Sequence, residues 1–217
     1  MFKKKPFFIV FEGVEGCGKS YQSKKLINNL KKKNIEAVLT REPGGTRSAE
    51  SIRSLILKDY FNKGKSEKFD KYTDTLLYLA ARNEHIKNKI KPALINKQIV
   101  ICDRFTDSTL AYQVYGKKVD RKFIDYIHNF ILQGVKPNIT FILKVSAKVS
   151  KVRLKKRKTK NRYDNFAQSF YSKAQKSFLK IAKNKKNYYI IDSSKNDNEL
   201  EKKILKIISK YLNIKWA

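Results

Sequence analysis

Residues 7–21, F-F-I-V-F-E-G-V-E-G-C-G-K-S-Y, decide the fold class of this chain. The five apolar residues at 7–11 predict a short strand that is buried on both faces. Residues 13–20 fit the phosphate-binding loop G-x-x-x-x-G-K-[ST] at every fixed position, and a helical pattern follows them. A glycine-rich turn without a ligand is the alternative, but a buried strand and a helix on either side of the loop favour a site for nucleotide phosphates.

The residue types of the loop suit a bound phosphate. Glycines allow the tight turns that point consecutive N–H groups at an anion, and the helix adds the positive end of its dipole. Lys19 can reach the β- and γ-phosphates of a nucleotide, and the Ser20 hydroxyl can ligate Mg²⁺. We therefore predict a nucleotide-binding segment made of Gly13, Val14, Glu15, Gly16, Cys17, Gly18, Lys19, Ser20 and Tyr21.

Length and composition indicate one globular domain over residues 1–217. The apolar share of 41% is ordinary, and no apolar run approaches the roughly 18 residues that span a bilayer. The basic start, M-F-K-K-K-P, leads directly into the first strand without a separate targeting segment. Two cysteines, Cys17 and Cys102, argue against a disulfide framework. These features predict a cytoplasmic protein that does not span a membrane.

The charge balance is strongly basic, with 50 Lys and Arg against 19 Asp and Glu and a formal net charge of +31. Either the chain binds nucleic acid, or a lysine-rich solvated surface encloses a site for small polyanions. Only nine of the basic residues are arginines, and most of them lie in the motifs described below. Because arginine is the better bidentate ligand for phosphate, we favour the second explanation and expect nucleic-acid binding to be incidental at most.

Strand-like and helix-like patterns alternate along the whole chain. They predict an α/β fold with three layers, in which helices cover both faces of a parallel sheet. The helical patterns include one over 70–90, which could continue past Pro92 after a break, and one over 106–131 that is interrupted near Gly116. Ligands of such sheets bind at the carboxyl ends of the strands, where the connecting loops meet. The five predicted strands are 7–11, 35–40, 98–103, 139–145 and 188–191.

Two further loops follow predicted strands and should meet the phosphate loop. The carboxylate of Asp103 can hold Mg²⁺ directly or through water, and Arg104 can bind a second phosphate. In the segment 41–46, R-E-P-G-G-T, Arg41 and the rigid Pro43 suit a loop that approaches an anion. An aspartate helix cap and an ordinary turn are the alternative explanations for the two motifs.

Helical spacing also places possible base-binding side chains together. Tyr78 and Arg82 are four residues apart, as are Ser108 and Tyr112. A ring can stack on a base, a guanidinium can donate to a base carbonyl, and Gln113 offers both a donor and an acceptor. From spacing alone, packing in the core explains the two tyrosines better.

The basic segment 155–162 lies between two predicted helices. It could form a short lid, over about 155–165, that places a guanidinium on the transferring phosphoryl group and excludes water. It could equally be a solvated basic loop, and composition leaves both explanations open.

The chain resembles the thymidylate kinase family over nearly its whole length. Four blocks carry the resemblance in the family's order and spacing: F-E-G-V-E-G-C-G-K-S, T-R-E-P-G-G-T, L-L-Y-L-A-A-R and D-R-F-T-D-S-T-L-A-Y-Q. The resemblance implies a P-loop kinase fold and transfer of the γ-phosphoryl group of ATP to dTMP. It also implies Mg²⁺ as cofactor and a homodimer.

The resemblance assigns roles to individual residues. Arg41 and Arg104 would hold the dTMP phosphate, Tyr78 would stack under thymine, and Arg82 would bond to the ring carbonyl. Ser108 and Gln113 occupy base- or sugar-contacting positions. Tyr112 occupies the position beside the 2′ side of the sugar, and Glu15 occupies the position of a loop carboxylate near the sugar. Because Gly16 stands where one branch of the family has arginine, the lid arginines Arg157 and Arg162 become the candidates for catalysis.

Several positions depart from the family's pattern. The stacking residue is Tyr78 where phenylalanine is more usual, and the lid reads N-R-Y-D at 161–164 instead of D-R-[IF]-E. Near the fourth strand, Asn138 and Lys144 stand where aspartate is frequent. These departures concern the stacking position, the lid and the fourth strand, and they leave the expected reaction unchanged.

Two rival functions share parts of the pattern. In a deoxynucleoside kinase, Glu42 would serve as the base for a neutral 5′-hydroxyl, although Arg41 and the glycines that follow favour a phosphorylated acceptor. A basic nucleic-acid-binding ATPase would explain the charge but not the pattern from Tyr78 to Gln113.

Overall fold

The computed structural model describes residues 5–57, 69–156, 168–195 and 198–216. One sheet of five parallel strands forms its centre, in the order β2-β3-β1-β4-β5. This confirms the predicted fold class and all five strands. The strands are β1 (Phe7–Glu12), β2 (Ala37–Arg41), β3 (Ile99–Asp103), β4 (Ile139–Lys144) and β5 (Tyr188–Asp192).

Helices cover both faces of the sheet. The central strand β1 is buried at all six positions, so an apolar core lies on each face of the sheet. No helix in the described ranges has the length and apolar character needed to cross a membrane. The helices are α1 (Lys19–Lys32), α2 (Arg47–Leu57), α3 (Lys71–His85), α4 (Lys91–Ile95), α5 (Thr106–Thr109), α6 (Arg121–Leu132), α7 (Ala147–Lys155), α8 (Gln168–Ala182) and α9 (Asn198–Leu212).

The strand register brings three loops to the same edge of the sheet. Asp103, the last residue of β3, pairs with Phe11 of β1 on one side and with Arg41 of β2 on the other. The carboxyl ends of these strands are therefore level. The phosphate loop, the loop after Arg41 and the turn at Arg104 meet there, as the strand pattern predicts.

Local sequence explains where several helices begin. Asp70 accepts a hydrogen bond from the Tyr72 N–H ahead of α3, and Asp120 does the same for Lys122 ahead of α6. Each side chain satisfies one of the N–H groups that a first helical turn leaves unpaired.

The helix does continue past Pro92, and a change of helix type takes the place of a break. The chain passes from α3 through a π-helical turn, Ile86–Ile90, into α4, with Pro92 in the first turn of α4. Proline fits a first turn because it has no N–H to lose there. A second π-helical turn, Leu110–Val114, follows α5, and the predicted interruption near Gly116 separates it from α6.

Asn138 joins the fourth strand to the first. Its side-chain oxygen accepts a hydrogen bond from the Phe8 N–H at 2.6 Å, and its own N–H donates to the Phe8 carbonyl at 2.8 Å. The asparagine therefore continues the pairing of β1 with β4 at the amino end of the sheet, remote from the loops at the carboxyl edge.

Candidate active site

The phosphate loop has the backbone that its glycines allow. Gly13, Gly16 and Gly18 all have positive φ, at 137°, 72° and 94°. A Cβ at Gly18 would meet nothing within 4 Å, so this side of the loop faces open space. The Lys19 ammonium lies within the loop and donates to the carbonyls of Gly13 and Val14 at 3.0 and 2.9 Å. The loop and its lysine form one compact unit at the start of α1.

A hydroxyl and a carboxylate meet beside the loop. Ser20 donates a hydrogen bond directly to the carboxylate of Asp103. In the described part of the chain, no group of three or more His, Cys, Asp or Glu side chains could hold a metal ion. One hydroxyl with one carboxylate next to a phosphate site fits Mg²⁺, which takes few protein ligands and completes its shell with phosphate oxygens and water.

One cavity of about 580 Å³ lies over the carboxyl edge of the sheet. It brings together predicted residues from all three loops and from α3, α5 and the turn after α5. Gly13, Val14 and Cys17 are buried behind the loop and do not line the cavity, and Arg157 and Arg162 lie outside the described residues. The predicted residues that line it are Glu15, Gly16, Gly18, Lys19, Ser20, Tyr21, Arg41, Pro43, Tyr78, Arg82, Asp103, Arg104, Ser108, Tyr112 and Gln113.

Arg104 is held at the centre of the cavity wall. Its guanidinium donates to the Glu15 carboxylate at 2.7 Å, to the Gly13 carbonyl at 2.9 Å and to the Ser108 hydroxyl at 3.1 Å. The Tyr112 hydroxyl donates to the other oxygen of Glu15 at 2.7 Å. Burial, followed by the Glu15 charge, raises the pKa of Tyr112, so this hydroxyl keeps its proton. A positive group is thus oriented beside the phosphate loop.

Glu12 connects the end of β1 to the turn that carries Arg104. It is fully buried, and its carboxyl group accepts hydrogen bonds from the N–H groups of Phe105 and Ser108 and from the Ser108 hydroxyl. Burial, followed by the negative charge of Asp107, raises the pKa of Glu12 to about 8. Sequence reasoning missed this residue because Glu12 precedes the fixed positions of the loop motif.

Arg82 lines the cavity and is almost fully buried. Its Nε donates to Glu42 at 2.7 Å, Nη1 to Thr109 at 2.7 Å and to His128 at 2.9 Å, and Nη2 to the Phe105 carbonyl at 2.9 Å. These bonds use four of the five guanidinium N–H groups. One N–H, on Nη2, is left for a ligand in the cavity that Arg82 lines.

Glu42 belongs to the same buried network. It pairs with Arg82 and also with the His85 ring, at 3.1 Å from Nδ1. Burial alone would raise the pKa of Glu42, but Arg82 and His85 outweigh that effect and hold the pKa below its usual range. A carboxylate that is paired on both oxygens is poorly suited to take a proton from a substrate hydroxyl.

Two arginines lie at the rim on the side of the second strand. Arg41 is exposed and donates to both oxygens of Glu50 at 3.1 Å, and the Gly45 N–H donates to the same carboxylate at 3.0 Å. Arg53 of α2 donates to the Pro43 carbonyl at 2.6 Å and also lines the cavity. Arg53 was not predicted, because it lies in an ordinary helical pattern outside the motifs.

Gln113 supplies an unpaired polar atom. Its side chain is buried and lines the cavity, and its Nε2 has no hydrogen-bond partner among the described residues. An unpaired buried amide is costly, so a ligand acceptor at this place would gain a hydrogen bond at little further cost.

Comparison with known proteins identifies the family. A sequence model described as thymidylate kinase matches residues 11–204. The chain belongs to the thymidylate kinase family. A thymidylate kinase of Wolbachia pipientis wMel is 42% identical over 203 residues, covering 91% of this chain and 97% of the relative. Another, of Sulfurihydrogenibium sp. (strain YO3AOP1), is 37% identical over 200 residues, covering 92% and 95%. Both matches cover more than nine tenths of this chain and of the relative.

A solved thymidylate kinase has the same fold. The crystal structure of the Ehrlichia chaffeensis enzyme superposes with a TM-score of 0.73 at 34% sequence identity, covering 94% of this chain and 99% of that one. The sheet and the flanking helices are therefore those of the thymidylate kinase fold.

Arg153 adds a guanidinium on the other side of the phosphate loop in this thymidylate kinase family member. It lies on α7, lines the cavity, and donates to the carbonyls of Gly16, Ser193 and Ser194 at 3.2, 2.9 and 3.2 Å. Sequence reasoning placed the functional arginines of this region only after α7. The signal that could have found Arg153 is its rarity, because α7 contains three lysines and one arginine.

Proposed function

We propose that the chain transfers the γ-phosphoryl group of ATP to dTMP, giving dTDP and ADP. The observation that carries the proposal is the convergence, in one cavity, of a phosphate loop, five arginines and the aromatic and amide side chains of Tyr78, Tyr112 and Gln113. Family membership supports the same reaction. A cavity of about 580 Å³ is within the usual size of a small-molecule site.

The acceptor nucleotide would lie between the loop after β2 and the turn after β3. We assign the dTMP phosphate to Arg41, Arg53 and Arg104, whose planar guanidinium groups suit bidentate phosphate contacts. At the other end, Tyr78 would stack on thymine, and Arg82 and Gln113 would offer N–H groups to base oxygens. Between the phosphate and the base, Glu15 and Tyr112 would lie beside the deoxyribose. Ser108 would form part of the cavity wall, held there by its bonds to Glu12 and Arg104.

The donor nucleotide would bind through the loop itself. The backbone N–H groups of Gly13–Ser20, the start of α1 and the Lys19 ammonium would hold the ATP phosphates, and Tyr21 and Arg153 flank them. Mg²⁺ would be held by Ser20 and Asp103, where it neutralises charge on the phosphates when bound.

Catalysis would depend on alignment and charge. The acceptor is a phosphate oxygen of dTMP that is already anionic near neutral pH, so the reaction needs no general base. Lys19 and Arg104 supply positive charge on the two sides of the transferring group. We infer that Arg157 and Arg162 add to it from a lid over 155–165, within a single kinase domain.

The paired state of Glu42 favours a monophosphate acceptor over a nucleoside. A deoxynucleoside kinase needs a carboxylate that can take the proton of a 5′-hydroxyl, whereas both oxygens of Glu42 are occupied by Arg82 and His85. A neutral nucleoside would also offer the rim arginines no phosphate to bind.

We propose a cytoplasmic homodimer. Buried free thiols at Cys17 and Cys102 fit a reducing compartment.

On α6, Tyr126 and Phe130 are each 62% exposed and pack edge to face, beside α3 with its exposed Leu76. A second copy of the chain would cover this apolar face. Sedimentation as a monomer at micromolar concentration would contradict this proposal.

A coupled assay of ADP formation over all nucleoside monophosphates tests the proposed reaction. We expect turnover with dTMP at least about tenfold above any other monophosphate, and none with thymidine. Phosphorylation of thymidine would support the nucleoside kinase instead. ATP hydrolysis that DNA or RNA stimulates, without any dependence on dTMP, would support the nucleic-acid-binding ATPase.

A further inference from the structure

We propose that His128 is a positioning residue for base recognition: it holds Arg82 in the orientation in which the guanidinium donates to the base of dTMP. The inference rests on the proposed function, and in particular on Arg82 as a contact to the base. His128 itself does not line the cavity, so it would act only through Arg82.

The direction of the hydrogen bond defines the state of the histidine. Arginine can only donate, so Nη1 of Arg82 donates at 2.9 Å and Nε2 of His128 accepts. The imidazole is therefore neutral, with its proton on Nδ1. This agrees with the surroundings, because burial, followed by the charges of Arg82 and Arg121, lowers the pKa of His128 to about 3. The acceptor is present at every pH near neutrality.

The four partners of Arg82 come from four parts of the fold. Glu42 lies after β2, Phe105 after β3, Thr109 on α5 and His128 on α6. His128 is the only one of the four on α6. It accepts from one N–H of Nη1, and Thr109 accepts from the other. Together the four bonds fix the plane of the guanidinium and leave the last N–H, on Nη2, at a single place in the cavity wall.

A donor at a fixed place can discriminate between pyrimidines. Thymine carries a carbonyl acceptor where cytosine carries an amino donor. The remaining N–H of Arg82 can donate to the thymine carbonyl, whereas in cytosine it would meet the amino group, which is another donor. Such a mismatch at a buried site is strongly rejected. Without the His128 acceptor, Nη1 has a buried N–H without a partner. The guanidinium then rotates toward other acceptors, and its remaining N–H no longer lies at a fixed place.

The test compares two variants at this position with a matched control. His128→Leu removes the acceptor, His128→Gln retains one at a similar reach, and Asn129→Ala changes an exposed neighbour on the same helix. For His128→Leu we expect the KM for dTMP to rise about tenfold while kcat stays within about twofold, because the lost contact acts on binding far from the transferred phosphoryl group. The preference for dTMP over dCMP in kcat/KM should fall by a similar factor. If His128→Leu does not fold, His128→Ala takes its place.

Two results would overturn the inference. One is a His128→Leu enzyme with unchanged KM and unchanged preference for dTMP. The other is a His128→Gln enzyme as defective as His128→Leu, which would show that the acceptor is not the relevant property. Arg82→Met separates this failure from failure of the base assignment. If Arg82→Met raises the KM for dTMP and His128→Leu does not, only the role of His128 is wrong. If neither variant changes the KM, the base does not bind at Arg82.

Discussion

At the scale of single residues, the cationic groups of the cavity are held by oxygens of the protein itself. Lys19 bonds to carbonyls of its own loop, Arg104 to Glu15, and Arg41 to Glu50. Much of the side-chain ordering that binding would otherwise demand is thus present in the folded chain. The roles that we propose for them differ, with Lys19 assigned to ATP and with Arg41 and Arg104 assigned to dTMP.

Replacement of Lys19 tests this division. We expect Lys19→Ala to lower kcat on the order of 10²-fold or more, because it removes a charge that stabilises the transferring phosphoryl group. The KM for dTMP should change by less than about threefold, since the acceptor binds elsewhere. Steady-state kinetics at saturating ATP, with Lys24→Ala on the exposed face of the same helix as control, measures both quantities. Equal losses in kcat and in dTMP affinity would contradict the assigned role.

At the scale of elements, a buried carboxyl group joins strand β1 to the turn after β3. The turn is unusual, because Arg104 has a φ of 74°, a left-handed conformation that costs energy for a residue other than glycine. Glu12 accepts the N–H of Phe105, the next residue, and so helps to hold the turn in place. The stability of this connection should depend on the protonation of Glu12.

The pH dependence of unfolding tests the burial of Glu12. A carboxyl group whose pKa is raised from 4.5 to about 8 binds more protons in the folded chain, so the free energy of unfolding falls as the pH rises between these values. His128, whose pKa is lowered, acts in the opposite direction, but only below its ordinary pKa of 6.5. The Glu12 contribution to the slope should therefore be close to its limit of about 1.4 kcal/mol per pH unit near pH 7, and it should fall to about half of that at pH 8, where the folded-state pKa lies.

Urea unfolding at several pH values measures this slope. Glu12→Gln should flatten it over pH 6.5–8, whereas Glu199→Gln, which changes an exposed carboxylate, should leave it as in the parent. A slope that is unchanged in Glu12→Gln would mean that Glu12 does not titrate in this window.

At the scale of the whole molecule, the arginines and the lysines separate. Seven of the nine arginines lie in the described ranges, and five of these line the cavity. Of the lysines in those ranges only Lys19 and Lys156 do so. This partition supports a specific polyanion site within a lysine-rich solvated surface as the explanation of the net charge.

Periodicity and motifs in the sequence predicted the architecture well, because buried strands and a phosphate loop leave strong local patterns. The residues grouped at the carboxyl edge followed from the parallel sheet. Contacts between distant segments could not be predicted. Glu12 to Ser108, Arg82 to His128 and Arg41 to Glu50 depend on tertiary packing, and no spacing within one element indicates them.

We propose that ATP and dTMP meet end to end in one cleft. A single molecule that links adenosine and thymidine through their 5′ ends by a chain of phosphates tests it directly, by calorimetric titration in the presence of Mg²⁺. We expect one molecule bound per chain, at least about 100-fold more tightly than dTMP or ATP alone, because the second nucleotide binds intramolecularly. An affinity no greater than that of either nucleotide, or a second independent site per chain, would contradict the end-to-end arrangement of the two nucleotides.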